Sequence, residues 1–99
     1  MANKKPDGII EAVRYSADGN INLVRAYERH GAVWSDHVLL ERQMLVRQLK
    51  DGKRFVIGQR KNLLGGVFET GSAIQEIKGT IMTEGQATTR DLLAGVPVF

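Results

Sequence analysis

The sequence predicts a small α+β domain that is mostly β: a six-stranded antiparallel sheet curled into a small barrel or half-barrel, one helix at about 41–50, and a short C-terminal helical turn. Three observations predict it. Short runs of β-branched and aromatic residues recur between Gly, Asn and Asp turn signals. One stretch, Leu40 to Lys50, departs from that pattern with helix-forming residues. The chain has 99 residues, 42% of them apolar, which suits one core.

Residues 1–7 (MANKKPD) read as a flexible polar tail, and residues 8–99 as a single compact domain. Gly8 to Tyr15 and Ile21 to Arg29 are the first two strands, joined by Ser16-Ala17-Asp18-Gly19-Asn20. With Gly19 in the left-handed position of a three-residue loop, Tyr15 faces Ile21, Val13 faces Leu23, Glu11 faces Arg25 and Ile9 faces Tyr27. A two-residue loop would instead set Arg14 opposite Leu23, so the pairing favours the bulged version. His30-Gly31 marks a turn, and Ala32 to Leu39 is a third strand with Trp34 and Val38 on one face and Ser35 and His37 on the other.

In Leu40 to Lys50, Leu45, Val46 and Leu49 fall at helical spacing against a polar stripe of Gln43, Arg47 and Lys50. Asp51-Gly52 is the stop, with glycine in the left-handed cap. The rival reading of this segment is a long hairpin turning at Asp51-Gly52. Lys53 to Arg60 is the fourth strand, with Phe55 and Ile57 inward and Arg54, Val56, Gly58 and Arg60 on the opposite face. Lys61 to Gly66 is a loop, Val67 to Thr70 a short strand, Gly71-Ser72 a turn, and Ala73 to Thr83 the sixth strand, with Ile77 and Ile81 inward and Gly79 a bulge or bend. Thr88-Thr89-Arg90-Asp91 resembles a capping box for one helical turn through Leu92, Leu93 and Ala94. Short connections between consecutive strands make the sheet antiparallel and favour its curling into a barrel.

The chain has no cysteine, which removes disulfides, thiolate catalysis and cysteine-ligated metal sites and suits a reducing, cytoplasmic setting. Residues 1–7 lack the apolar core of a signal peptide, and no run approaches the roughly 20 apolar residues of a membrane span, so no membrane association is expected.

Nothing in the sequence assembles catalytic machinery. His30, His37 and Asp36 form the one cluster resembling a metal or acid-base site, and alternation on a strand sets Asp36 and His37 on opposite faces. No nucleophile elbow and no phosphate-binding loop is present, the Leu64-Gly65-Gly66 glycines suit a turn, and Glu69, Glu76 and Glu84 have no spacing that forces a carboxylate pair. Neither a metal nor a cofactor is expected.

Charge distribution is more informative than the net value of +3. Residues 42–61 hold seven basic groups and one acidic group, whereas the flanking segments are slightly acidic. Within that segment Arg47, Lys50, Lys53, Arg54, Arg60 and Lys61 form a candidate anion or nucleic-acid surface, since guanidinium and ammonium groups bind phosphate by charge and, for arginine, by paired hydrogen bonds. Aromatic interleaving is absent there, because Phe55 points away from Arg54 and Arg60, so stacking on single-stranded bases is not supported.

Three functions follow. The first is a non-enzymatic small binding domain for nucleic acid or another polyanion, with an acidic protein as the related partner. The second is a homo-oligomeric or protein–protein interaction domain, for which Met44, Val46, Val56 and Val96 to Phe99 supply apolar surface. The third is a small-molecule site or enzyme in a barrel mouth lined by Tyr27, Trp34, Asp36 and His37.

Overall fold

The computed structural model describes residues 6–31, 33–35, 38–60, 68–85, 90–93 and 95–99, without the side chains of Arg60 and Phe68. The expected loop Lys61 to Gly66, Val67, Thr88, Thr89 and Ala94 lie outside the described residues, as do positions 1–5. Pro6 and Asp7 are hydrogen-bonded into the fold, through Arg29 Nε to the Pro6 carbonyl at 2.9 Å and Asp7 N to the Arg54 carbonyl at 2.7 Å.

The chain is mostly β with one helix among the described residues: β1 (Gly8–Tyr15), β2 (Ile21–His30), β3 (Val33–Trp34), β4 (Val38–Glu41), α1 (Arg42–Lys50), β5 (Phe55–Arg60), β6 (Phe68–Ile77) and β7 (Thr80–Thr83). The sheet runs β3-β2-β1-β5-β6-β7, with β4 also paired to β2. That helix is too short to cross a membrane.

The first hairpin closes as its turn residues require. Gly19 N donates to the Ser16 carbonyl, Ser16 N to the Asn20 carbonyl, and Gly19 has φ of +90°, a conformation glycine adopts without a Cβ clash. Its register departs from simple alternation in the middle. Tyr15 faces Ile21 and Ile9 faces Tyr27, but Val13 faces Val24 and Arg14 faces Leu23, because Asn22 bulges from β2 and Glu11 from β1. The two bulges cancel. Between them the strand faces are rotated, so Ile10, Val13 and Tyr15 all reach the main core while Ile9 lies on the other side of the sheet.

The third expected strand is interrupted. β3 pairs with β2 at Arg29↔Trp34 and β4 at Ala26↔Val38, so the segment carrying β3 and β4 takes one residue more than β2 across that interval. The extra residue turns Trp34 and Val38 to opposite faces, against the expectation that they share one. Val38 packs on the main core and Trp34 covers Ile9, Val56 and Ala73 on the other face. Val56, expected beside Arg54 and Arg60 on an open face, is therefore only 3% exposed.

Helix α1 buries Leu45 and packs Val46 and Leu49 on the core, leaving Gln43, Arg47 and Lys50 in solvent. It ends at a glycine cap: Gly52 has φ of +89°, Gly52 N donates to the Leu49 carbonyl, and Lys53 N to the Gln48 carbonyl. The helix carries the chain from β4 past β2 and β1, so β5 enters parallel to β1, pairing Gly8↔Phe55, Ile9↔Val56 and Ile10↔Ile57. The sheet is accordingly mixed, not antiparallel throughout. Phe55, at 1% exposed, and Ile57 face the main core as expected, and full burial of such a ring contributes about 1.5–3 kcal/mol.

β6 is one continuous strand. Gly71-Ser72, expected as a turn, is a bulge opposite Ile57. The turn falls at Lys78-Gly79, where Ile77 pairs with Thr80. Ile77 thus sits at a hairpin tip, 46% exposed, while Ile81 is buried. Both turn residues have positive φ, 52° for Lys78 and 83° for Gly79, the geometry that favours Asn-Gly. Lysine there carries a left-handed penalty of about 1–2 kcal/mol, part of which asparagine relieves. Lys78→Asn is expected to stabilise the chain by about 1 kcal/mol, read as a rise of about 4–8 °C in thermal melting; an unchanged or lower midpoint would contradict the turn.

The sheet is not closed into a barrel. Its C-terminal segment instead forms a strap: Leu92 bridges to β7 and Val98 to β1, with Val13 N donating to the Pro97 carbonyl and Phe99 N to the Val13 carbonyl. Leu92 is thus in an extended bridge, not in the expected helical turn, and Leu93 is buried in the core.

Candidate functional site

The basic segment divides by role. Arg42, at the start of α1, is consumed by the fold. Its Nε donates to Asp91 Oδ2 at 2.7 Å and its Nη2 to Asp91 Oδ1 at 3.1 Å, and Nη2 also donates to the Gly79 carbonyl. The Asp91 side chain, 1% exposed, also accepts from Ile21 N at 2.8 Å and Ile81 N at 3.0 Å. Four donors converge on one carboxylate and tie the strap to β2, α1 and β7.

Burial opposes ionisation of Asp91, but hydrogen bonds from Arg42 and from the Ile81 and Ile21 amides outweigh it and hold the carboxyl below its ordinary range. The same hydrogen bond to Asp91 raises Arg42 further above its usual value.

Other arginines are engaged as well. Arg29 pairs with Asp7 at 3.6 Å, and Arg25 Nε lies 3.2 Å from Glu11 Oε1 without the alignment of a hydrogen bond. Arg14 and Arg25 also lie over the Phe99 ring, at 4.7 and 5.0 Å from its centroid.

Arg47, Lys50, Lys53 and Arg54 differ from these. All four are exposed, and none has a side-chain hydrogen bond or ion pair among the described residues. Arg47 and Lys50 lie one helical turn apart, and the glycine cap returns the chain directly to Lys53 and Arg54 at the start of β5. The cap carbonyls of Gln48 and Leu49 are already satisfied by main-chain N–H groups. The four cations are therefore not bound to the helix end.

Arg60 stands at the other end of β5, about 20 Å from Arg54 at the rise of an extended strand. Its side chain, and Lys61, lie outside the described residues. The structure thus gathers four of the six candidate residues at one pole and separates the backbone of Arg60 from them.

Of the residues expected around a small-molecule pocket, Tyr27 is buried with its hydroxyl donating to Glu11 Oε2 at 2.8 Å, and Trp34 is half-buried over the second apolar cluster. Asp36 and His37 lie outside the described residues. Of the apolar residues expected to promote self-association, Met44 and Val98 are exposed, Val46, Val96 and Phe99 are half-buried, and Val56 is buried. Among the described residues no three His, Asp or Glu side chains come together as a metal site.

One cleft escaped sequence reasoning. It has a volume of about 290 Å³ and opens where β5 leaves β1 after the Ile10↔Ile57 pair, with the strap on its far side. Its position depends on the parallel pairing of two strands distant in sequence, which no local pattern encodes.

Comparison of the chain with protein-family models, with curated proteins and with solved structures finds no match.

Proposed function

We propose that this chain is a non-enzymatic binding module for a polyanion such as nucleic acid, held at the pole formed by Arg47, Lys50, Lys53 and Arg54. One observation carries the reading: these four cations are exposed and unpaired among the described residues, while Arg25, Arg29 and Arg42 each have an acidic partner. Exposed cations already neutralised by neighbours would gain little from phosphate. Unpaired ones release counterions from it at no internal cost.

Among the described residues no aromatic side chain is exposed beside the four, which favours contact with a phosphate backbone over stacking on bases. Arg60 and Lys61 would extend the surface only for a ligand long enough to reach the far end of β5.

The test is anisotropy of a labelled short duplex DNA at increasing salt. Four phosphate contacts at about −0.9 each give a log–log slope of about −3 to −4. Replacing Arg47, Lys50, Lys53 and Arg54 together by glutamine, which has a helix propensity close to that of arginine and lysine, is expected to abolish binding at low salt with little change in melting temperature, since all four are surface groups. Binding that is absent, indifferent to salt, or kept by the quadruple variant refutes the proposal.

A further inference from the structure

We propose that the lane beside β1 beyond Ile10 is a docking groove for an extended apolar peptide segment of another protein, carrying one aromatic residue, and that the chain's own strap occupies it as a competing ligand. The topology sets the lane. β1 has β2 on one side, and on the other it has β5 only as far as the Ile10↔Ile57 pair. From Val13 onward that side belongs to the strap, which bridges Val13↔Val98 and, like β5, runs parallel to β1. Two segments thus share one lane end to start. The cleft of about 290 Å³ lies at the join, with Ile10 and Ile57 on one side and Val96 and Pro97 on the other. The groove is separate from the basic pole, which adjoins the opposite end of β1 through Gly8 N and the Arg54 carbonyl.

The present occupant states what the lane accepts. The strap pairs through its main chain as an added strand does, with Val13 N donating to the Pro97 carbonyl at 2.9 Å and Phe99 N to the Val13 carbonyl at 3.0 Å. The guanidinium groups of Arg14 and Arg25 lie 4.7 and 5.0 Å from the centroid of the Phe99 ring, and Arg14 Nε donates to the Phe99 main-chain oxygen at 3.3 Å. Two cations over one ring select for an aromatic side chain, because the ring presents its negative face to them. Val96, three positions before the ring, is half-buried against the main core. The pattern that fits is an apolar residue, two residues held by backbone alone, and a ring.

The strap fills this lane incompletely. Its firm attachment ends at Leu93, which is 2% exposed and follows the Asp91 junction. Beyond it Gly95 turns the chain at φ of +81°, and Pro97 and Val98 are exposed, the latter at 67%. Pro97 has no N–H, so the parallel ladder stops there and does not continue toward Ile10. The cleft stays open beside it. A segment from another molecule, free of the tie to Leu93 and without proline at that place, would run straight along β1, extend the ladder and enter the cleft. A second copy's strap would bring the same proline and the same turn, so these gains single out a different protein as the partner.

The experiment titrates the full chain, labelled with ¹⁵N, with acetylated and amidated peptides: Ala-Gly-Val-Ala-Val-Phe, its counterpart with proline at the fourth position, and its counterpart with alanine in place of phenylalanine. In a Phe99→Ala chain, whose strap has lost its ring, the first peptide is expected to shift the amides of Val13, Arg14 and Gly58 saturably, with a dissociation constant of about 0.1–1 mM. The natural chain is expected to bind it at least about tenfold more weakly, because its own strap holds the lane most of the time. The proline peptide should be weaker by about three- to tenfold for want of one hydrogen bond, and the peptide without a ring should give no saturable shift. Hydrogen exchange of the natural chain supplies a measurement that needs no variant. The Phe99 amide is expected to exchange at least about 100-fold faster than the Leu92 amide, since the strap opens beyond Gly95 while Leu93 stays anchored. No saturable binding to the Phe99→Ala chain, equal affinity of the two chains, equal response to the three peptides, or equal protection of the two amides overturns the proposal. Concentration-dependent dimerisation of the natural chain that shifts the same amides assigns the lane to a second copy and overturns it as well. The basic-pole variant is expected to keep its peptide binding when DNA binding is lost, so the two readings fail separately.

Discussion

Asp91→Ala is expected to cost about 3–5 kcal/mol, a large part of the roughly 5–15 kcal/mol that holds a domain of this size together. The alanine leaves Ile21 N, Ile81 N and the Arg42 guanidinium without their acceptor in a place that water does not reach freely. Asp91→Asn retains one carbonyl oxygen but turns an N–H₂ group toward a donor and removes the charge opposite Arg42, so it should be destabilising too, by less. Urea melts with an unchanged slope and a lowered midpoint would measure both.

Acid supplies a second readout. The Asp91 carboxyl is held below its ordinary value in the fold, so the unfolded chain binds the proton more readily and stability rises with pH across the interval between the two values. The contribution is complete above about pH 5 and is lost as pH falls through the folded value. The difference in stability between the natural chain and Asp91→Ala should therefore shrink on acidification. A difference that stays constant down to the acid transition would show that the carboxylate's charge is not what holds the junction.

Asp91 also shows why part of this molecule was illegible in its sequence. In Thr88-Thr89-Arg90-Asp91 an aspartate reads as a local helix signal, whereas its acceptor oxygens serve donors 70 and 49 positions away. The elements that could be read are those decided locally. Gly19 and Gly52 sit where only a residue tolerant of positive φ fits cheaply, so the hairpin loop and the helix stop were visible, as was the apolar stripe of α1. Lys78-Gly79 was missed for the same reason in reverse, because lysine is not a residue that announces such a turn.

The bulges at Glu11 and Asn22 cancel, so the ends of the first hairpin gave no sign of the displaced middle. The parallel placement of β5 beside β1 followed from where α1 delivers the chain, a tertiary outcome that hairpin logic cannot anticipate. For the candidate site, the exposed cations were legible from composition and helical spacing. The distinction between Arg42 and its four neighbours was not, since it rests on Asp91.

Gly8→Ala is expected to be as damaging as a core substitution, although it adds one methyl group at the edge of a strand. In the parallel ladder Gly8 faces Phe55, and a Cβ there would lie 2.3, 2.6 and 2.8 Å from three atoms of the ring. Phe55 cannot move aside easily: it is 1% exposed and belongs to the main core. Overpacking of this kind costs about 1–3 kcal/mol and sometimes more, while the reduced freedom of the unfolded chain returns at most about 1 kcal/mol in favour of alanine. The clash wins. A net loss of about 2 kcal/mol corresponds to a fall of about 8–16 °C in melting temperature for a chain of this length. A double-mutant cycle isolates the cause, because Phe55→Leu removes the ring that the methyl group strikes. In that background Gly8→Ala should cost at least about 1 kcal/mol less than in the natural chain. Strict additivity of the two substitutions would mean that the ring does not lie over Gly8, and with it the register that sets β5 parallel to β1 and opens the cleft beyond Ile10 would be lost.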